Sequence, residues 1–275
     1  LQWGHRIEHG GGRCALVPAH NLVVAGGNDG FAHAVDTNKT AATRWQTSLL
    51  EIVPPDPPNF PGQRARLSGS LARPTGIACD DERVYISVFD QSRIVGLDAR
   101  TGKLLWSFQA NGWIYGDPVT SGDYVFIGSQ DKHMYCLDKR SGAKVWEFAT
   151  KGRIESAAAA SDGSLYFGSC DGGYYRLALA DGKLLWRYDS EPDAAGHRAI
   201  YSTPVLTADS VYFAAGAGHV YALDRKTGEL RWKLRAERDS QTFCSPASDG
   251  ARLFVVTRPH LNKAGENSLL AISQR

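Results

Sequence analysis

The sequence contains no run of residues long and apolar enough to cross a membrane as a helix, which takes about 20 consecutive apolar residues. It has no excess of charge either: 31 Lys and Arg stand against 29 Asp and Glu, interspersed, for a formal net charge of +2. That balance gives no field to attract nucleic acid or an anionic membrane surface. Cysteine is sparse and scattered, at Cys14, Cys79, Cys136, Cys170 and Cys244. No CxxC or clustered Cys/His spacing occurs, so no zinc or haem signature is present. An odd number of thiols cannot all pair within one chain, and these read as small buried or half-buried residues, leaning toward a reducing compartment. Histidines 5, 9, 20, 33, 133, 197, 219 and 260 do not cluster, and no metal site is expected. No segment resembles a nucleophile elbow. There is no signal-peptide pattern at the start and the first residue is not Met, so the chain reads as a processed form or a piece of something longer.

What the sequence does have is glycine (29 residues), aromatics (10%) and one recurring phrase. The phrase is DARTGKLLW at 98–106, DKRSGAKVW at 138–146 and DRKTGELRW at 224–232. ALADGKLLW at 178–186 matches it with Ala178 in place of the Asp. A period of about 40 residues marks a repeat architecture. Each unit reads as four short strands; in the third these are 115–119, 124–128, 133–137 and 144–148. Asp29, Asp90, Asp131 and Asp171 recur at the hairpin between second and third strands, as turn residues.

Aligned on the second strand, the chain shows six units. Five carry their own Trp, at Trp45, Trp106, Trp146, Trp186 and Trp232. The sixth runs through Leu269–Ile272 and stops before its Trp is due, while Trp3 stands unused at the other end. The expected fold is therefore all-β: a six-bladed β-propeller of four-stranded antiparallel blades, one domain over 1–275, closed by the N-terminal strand carrying Trp3. Closure of that kind removes an exposed sheet edge; the alternative is that Trp3 belongs to a preceding blade. The Trp is expected to fill the gap between blades and to bond a backbone group through its N–H. The Asp is expected to accept from turn amides.

The strings VFIGSQDKHMYCLD at 125–138 and their equivalents at 165–178 and 211–224 resemble the PQQ-like repeat β-propeller family, of the BamB-like and quinoprotein type. The resemblance covers nearly all the chain except 48–74. It implies a propeller and an extracytoplasmic, periplasmic or secreted setting; the unpaired cysteines point the other way, toward the cytoplasm. It does not imply one chemistry, because the same blades serve enzymes and scaffolds. Quinoprotein members hold the quinone with calcium, an adjacent Cys–Cys pair and a Trp. No adjacent cysteines occur here, so no cofactor is expected and PQQ in particular is not.

Turns between third and fourth strands are short and uniform. Long insertions fall on the other face: 48–74, Pro-rich and then basic, with 189–200 and 258–268. Function concentrates on loops held by a rigid scaffold. In the insertion the candidate partner contacts are Phe60, Arg64, Arg66 and Arg73. At the channel mouth the candidate ligand or partner contacts are Arg13, Trp113, Tyr115, Asp117, Arg153, Glu155, Arg198, Tyr201 and Phe243. No catalytic residue is assigned. The leading expectation is a non-catalytic scaffold that engages a protein or peptide through its long-loop face, as a monomer or part of a larger assembly. The alternatives are a small-ligand sensor or enzyme using the channel mouth, and the propeller domain of a larger adenylating or quinoprotein-like enzyme.

Overall fold

Each sequence unit folds as a four-stranded antiparallel sheet. The first holds β1 (Cys14–Val17), β2 (Leu22–Gly26), β3 (Phe31–Asp36) and β4 (Thr43–Ser48), in that order. The second holds β5 (Pro74–Cys79), β6 (Arg83–Val88), β7 (Arg93–Asp98) and β8 (Leu104–Gln109). The third holds β9 (Val119–Ser121), β10 (Tyr124–Gly128), β11 (His133–Asp138) and β12 (Lys144–Ala149). The fourth holds β13 (Ala159–Ser161), β14 (Ser164–Gly168), β15 (Gly173–Ala178) and β16 (Leu184–Asp189). The fifth holds β17 (Val205–Leu206), β18 (Ser210–Ala215), β19 (His219–Asp224) and β20 (Leu230–Arg235). In the sixth, β23 (Arg252–Pro259) pairs with β21 (Ser240–Gln241), β22 (Ala247–Ser248) and β24 (Ser268–Ser273).

This computed structural model describes residues 14–17, 20–27, 29–38, 42–50, 72–192, 196–215, 218–235, 240–241, 245–259 and 268–273. The strand expected around Trp3 lies outside them. The chain forms two compact units, residues 1–131 with 135–145, and residues 132–134 with 146–275.

Second and third strands are covered on both faces, so they read as nearly continuous apolar runs. Every residue of β14 and β18 is buried. Outer strands β16 and β20 alternate or stay exposed, which fits their charged residues.

The innermost strands are shorter than expected and begin later. In the third sheet pairing starts at Val119 rather than Tyr115, and in the fifth it covers only Val205 and Leu206. In the fourth and fifth sheets serine side chains stand where the ladder stops. Ser156 Oγ donates to Gly168 O at 3.0 Å. Ser202 Oγ donates to Ala214 O and accepts from Ala214 N, both at 2.9 Å. Pro118 and Pro204 add residues with no N–H to give.

The recurring phrase builds one turn four times. Gly102, Gly142, Gly182 and Gly228 donate to the carbonyl four residues back, at 2.8, 2.8, 3.0 and 2.8 Å. Ala178 keeps that backbone bond without a carboxylate. Where the Asp is present it adds two more: Asp98 accepts from Arg100 N and Thr101 N, and Asp138 and Asp224 repeat the pattern. The odd loop length is absorbed one step later as a register shift after Ala34, Gly96, Arg176 and Ala222, each opposite its sheet's Trp, which is a recurring β-bulge.

Four of the five repeat Trp then reach the next sheet. Trp45 Nε1 donates to Ala99 O, Trp106 to Lys139 O, Trp146 to Leu179 O and Trp186 to Arg225 O, over 2.9 to 3.2 Å. The acceptor is always the residue after the Asp position. The turn glycine lies flat on the indole: a Cβ on Gly142 would stand 2.5 Å from Trp106, at a φ of +70°. Only glycine satisfies both conditions.

The turn carboxylates carry a pH dependence. The Thr101 hydroxyl holds Asp98 below its ordinary value of 3.8, and the Ser141 hydroxyl does the same for Asp138. A carboxylate lowered in the folded state stabilises above the unfolded value and loses that contribution as pH falls through the folded one. Both groups are part exposed, so solvent screening keeps the effect per turn small. Asp98→Ala is expected to lose less melting temperature than wild type between pH 5 and pH 3 in thermal melts. An identical acid response in the two proteins would show that the turn is not a contributor.

Candidate functional site

At the end of the sheets where the second strand turns into the third, the links between sheets pack onto the hairpins. In the first unit, the link after β8 is tied by Asn111 N to Asp131 Oδ2 (2.9 Å), Gln130 N to Trp113 O (2.8 Å) and Ser129 Oγ to Gly112 O (2.9 Å). Gly112 lies so close that a Cβ there would meet Asp131 N at 2.5 Å. This fixes the backbone that carries Trp113 and Tyr115.

Their partner is Phe89, which the sequence reading did not single out. The hairpin of the second sheet is widened into a 3-10 turn, Phe89–Gln91. Phe89 lies 4.8 Å from Trp113 and 4.7 Å from Tyr115, ring centroid to ring centroid. The Arg73 guanidinium stands 5.1 Å over the Phe89 ring and pairs with Asp90 at 3.4 Å. Asp90 thus departs from the hairpin role expected of it. Asp29, Asp131 and Asp171 each bond the residue four positions on, His33, Tyr135 and Tyr175, at 2.8, 2.7 and 2.7 Å. The fourth position after Asp90 is Ile94, which has nothing to offer, so Asp90 turns to the end of the insertion instead and also accepts from Arg73 N. Asp117 lies against β5, its Cα 2.5 Å from where a Gly76 Cβ would be. The ledge is part exposed: Tyr115 keeps 45% of its surface.

In the second unit the same link geometry recurs. Lys151 N donates to Asp171 Oδ2 at 2.9 Å and Cys170 N to Arg153 O at 2.8 Å. Here the side chains are polar. Arg153 Nε pairs with Glu155 Oε1 at 3.4 Å. Cys170 bonds Tyr201 and Arg153 through its side chain. Burial pushes the Cys170 thiol up to about 11, with Glu155 adding to it, and burial likewise raises Tyr201. A thiol held there stays protonated at neutral pH and is a poor nucleophile. Arg198 packs on Gly172, where a Cβ would meet its Cδ at 2.2 Å, and its carbonyl accepts from Ser190 Oγ.

The structure therefore gathers the candidates into an aromatic ledge (Arg73, Trp113, Tyr115) and a polar cluster (Arg153, Glu155, Tyr201), one in each unit. Phe89 and Cys170 belong to them and were missed. Phe89 could have been found as the one aromatic residue beside a hairpin Asp in this chain's lengthened second hairpin. Arg13, Phe60, Arg64, Arg66 and Phe243 lie outside the described residues. Cys79, Cys136 and Cys170 form no disulfide. Among the described residues no group of three or more His, Cys, Asp or Glu is placed to hold a metal ion, and no helix is long and apolar enough to cross a membrane.

Successive four-stranded antiparallel sheets, the first four each locked to the next by a Trp, define a β-propeller of PQQ-like repeats. The sequence model of the family described as outer membrane protein assembly factor BamB matches residues 28–174 and 90–260, and the chain belongs to that family. Among solved structures it is similar to BamB from Moraxella catarrhalis, at 19% identity and a TM-score of 0.70, covering 89% of this chain and 71% of that one. It is similar to the computationally designed Ika8 protein, at 16% identity and a TM-score of 0.71, covering 95% and 70%. It is also similar to quinohemoprotein alcohol dehydrogenase from Comamonas testosteroni, at 16% identity and a TM-score of 0.62, covering 78% of this chain and 42% of that one. No curated protein sequence matches. At these identities the solved structures speak for the fold.

Proposed function

We propose that the protein is a non-catalytic scaffold that binds a protein or peptide partner at the loop end of its sheets, in an extracytoplasmic setting and without a quinone. The observation that carries this reading is the ledge of Tyr115, Trp113 and Phe89 under the Arg73 guanidinium. It stands where the 48–74 insertion rejoins the sheet at Pro74. Aromatic and arginine side chains with part of their surface open are the residue types that anchor protein interfaces. The family's name, an assembly factor of outer membrane proteins, agrees with a partner-binding role and with that setting. The absence of adjacent cysteines in the sequence removes one quinone-holding feature.

Tyr115→Ala combined with Arg73→Glu is expected to lower capture of the partner at least ~10-fold, about 1.4 kcal/mol, with little change in melting temperature. The measurement is affinity capture of wild type and variant, with an internal deletion within 51–71 as a third bait. A partner set unchanged in both variants would sink the ledge as the docking site. Loss on Glu155→Ala alone, with the ledge variant still active, would instead favour a small polar ligand at the second cluster.

A further inference from the structure

At the other end of the strands, in the second unit, a cleft of about 350 Å³ opens between the fourth and fifth sheets. Its charged lining comprises Arg176, Arg225, Lys226 and Arg231 against Asp162, Asp209 and Asp224. We propose that this cleft binds a small phosphate-bearing molecule, with Arg176 and Lys226 as its anion contacts.

The internal repeat shows that these residues are not demanded by the fold. Opposite the Trp of each sheet stands a small residue, Ala34, Gly96 or Ala222, and Cys136 holds the same place in the third repeat. In the fourth sheet alone that place is Arg176, opposite Trp186. One repeat earlier the corresponding sequence positions hold Phe126 for Tyr166, Leu179 for Arg225 and Leu185 for Arg231. The sheet-to-sheet lock is the same in both: Trp146 bonds Leu179 O and Trp186 bonds Arg225 O. Those positions are apolar one repeat earlier, and two repeats earlier Tyr85, Asp80 and Lys139 form a set like Tyr166, Asp162 and Arg225, so Arg176 is the member that closing the sheets does not require.

The arginines are held ready. The guanidinium carbons of Arg176 and Arg225 lie 5.6 and 5.5 Å from the centroid of one ring, that of Tyr166, a cation–π arrangement that restricts both. Arg225, nearly buried, donates to Tyr166 Oη (3.3 Å), Thr207 O (2.9 Å) and Asp162 Oδ2 (2.5 Å). Arg176 donates from Nε to Ser164 Oγ (3.0 Å) and from Nη1 to Lys226 O (2.8 Å). It has no carboxylate partner among the described residues.

The acids of the cleft are set against Arg225 and Arg231. Asp162 pairs with Arg225, and Asp224 with Arg231 at 2.7 Å and with two turn amides. Asp209 acts on Arg231. Four cations and three carboxylates leave a net charge of one, and the acids lie against Arg225 and Arg231, so Arg176 and Lys226 have no carboxylate partner among the described residues. A guanidinium fork beside an ammonium suits a tetrahedral oxyanion with several acceptor oxygens.

The test is calorimetric titration of the full chain with inorganic phosphate and, separately, with glycerol phosphate, chloride holding the ionic strength constant. Wild type is expected to bind saturably. Arg176→Ala, which installs the residue already found at 34 and 222, is expected to melt as wild type does and to bind at least ~10-fold more weakly. Equal affinities for the two probes assign the site to free phosphate; tighter binding of the ester assigns the rest of the cleft to the ester's remainder. Absence of saturable binding in wild type up to about 10 mM, an affinity barely above −3 kcal/mol, overturns the proposal. So does equal binding by Arg176→Ala, which would leave Arg176 as a strut between sheets.

Discussion

Trp106→Ala is expected to destabilise the protein by about 3–5 kcal/mol, the range for deleting a large buried aromatic side chain. Trp106 is 7% exposed and packs 5.9 Å from Tyr85. Its N–H bonds Lys139 O at 3.0 Å, so its loss also strands an acceptor. Two glycines line the indole: a Cβ on Gly96 would stand 2.4 Å from it and one on Gly142 2.5 Å. Neither has a side chain to fill the hole, so the site collapses poorly. The converse change, Gly142→Ala, forces a methyl into the ring at a left-handed φ of +70°, and about 2 kcal/mol or more is expected from the two effects together. The double variant discriminates. Removing the indole relieves the methyl clash, so Trp106→Ala with Gly142→Ala should cost less than the sum of the singles. Urea unfolding of the four proteins measures it. Strict additivity would mean that φ alone constrains Gly142 and that the indole contact contributes nothing.

The repeat made the sheets, the turn and the Trp lock legible because each copy faces the same physical problem. Trp45, Trp106, Trp146 and Trp186 must all fill a gap and place one N–H, and all use the carbonyl after the turn Asp position. The position of Ala178 tested that reading: the turn survives there on backbone bonds. What was not legible depends on single copies. Asp90 looks like its counterparts until Ile94 fails to supply the hydroxyl that Tyr135 and Tyr175 supply. Phe89 becomes a platform for Trp113 and Tyr115 only because its hairpin is widened into a 3-10 turn. Cys170 joins Arg153 and Tyr201 through a contact between a hairpin and a link 31 residues later, and no spacing rule announces it. Arg176 was hidden for the opposite reason: it occupies a regular place, and only its chemistry departs from the repeat.

Ser202→Ala is expected to cost about 2–6 kcal/mol, because two buried backbone groups lose their partner and each unsatisfied group costs about 1–3 kcal/mol. Innermost strand β17 pairs only at Val205 and Leu206, so Ala214 of β18 meets a hydroxyl on that side instead of a strand. Ser202 Oγ serves both its N–H and its carbonyl at 2.9 Å, with the serine fully buried. Alanine keeps the small size the crowded position needs and removes only the hydroxyl, so packing stays nearly constant. Ser156 is the internal control. Its hydroxyl bonds a single group, Gly168 O at 3.0 Å, and Ser156→Ala should cost about half as much. Hydrogen exchange adds a site-specific reading: the Ala214 amide should lose protection in Ser202→Ala while Tyr212, paired with Val205 and Ala222 within the ladder, keeps its own. Equal costs for the two serine variants, or an unchanged Ala214 exchange rate, would show that another group holds Ala214 and that the serine does not stand in for the missing length of the innermost strand.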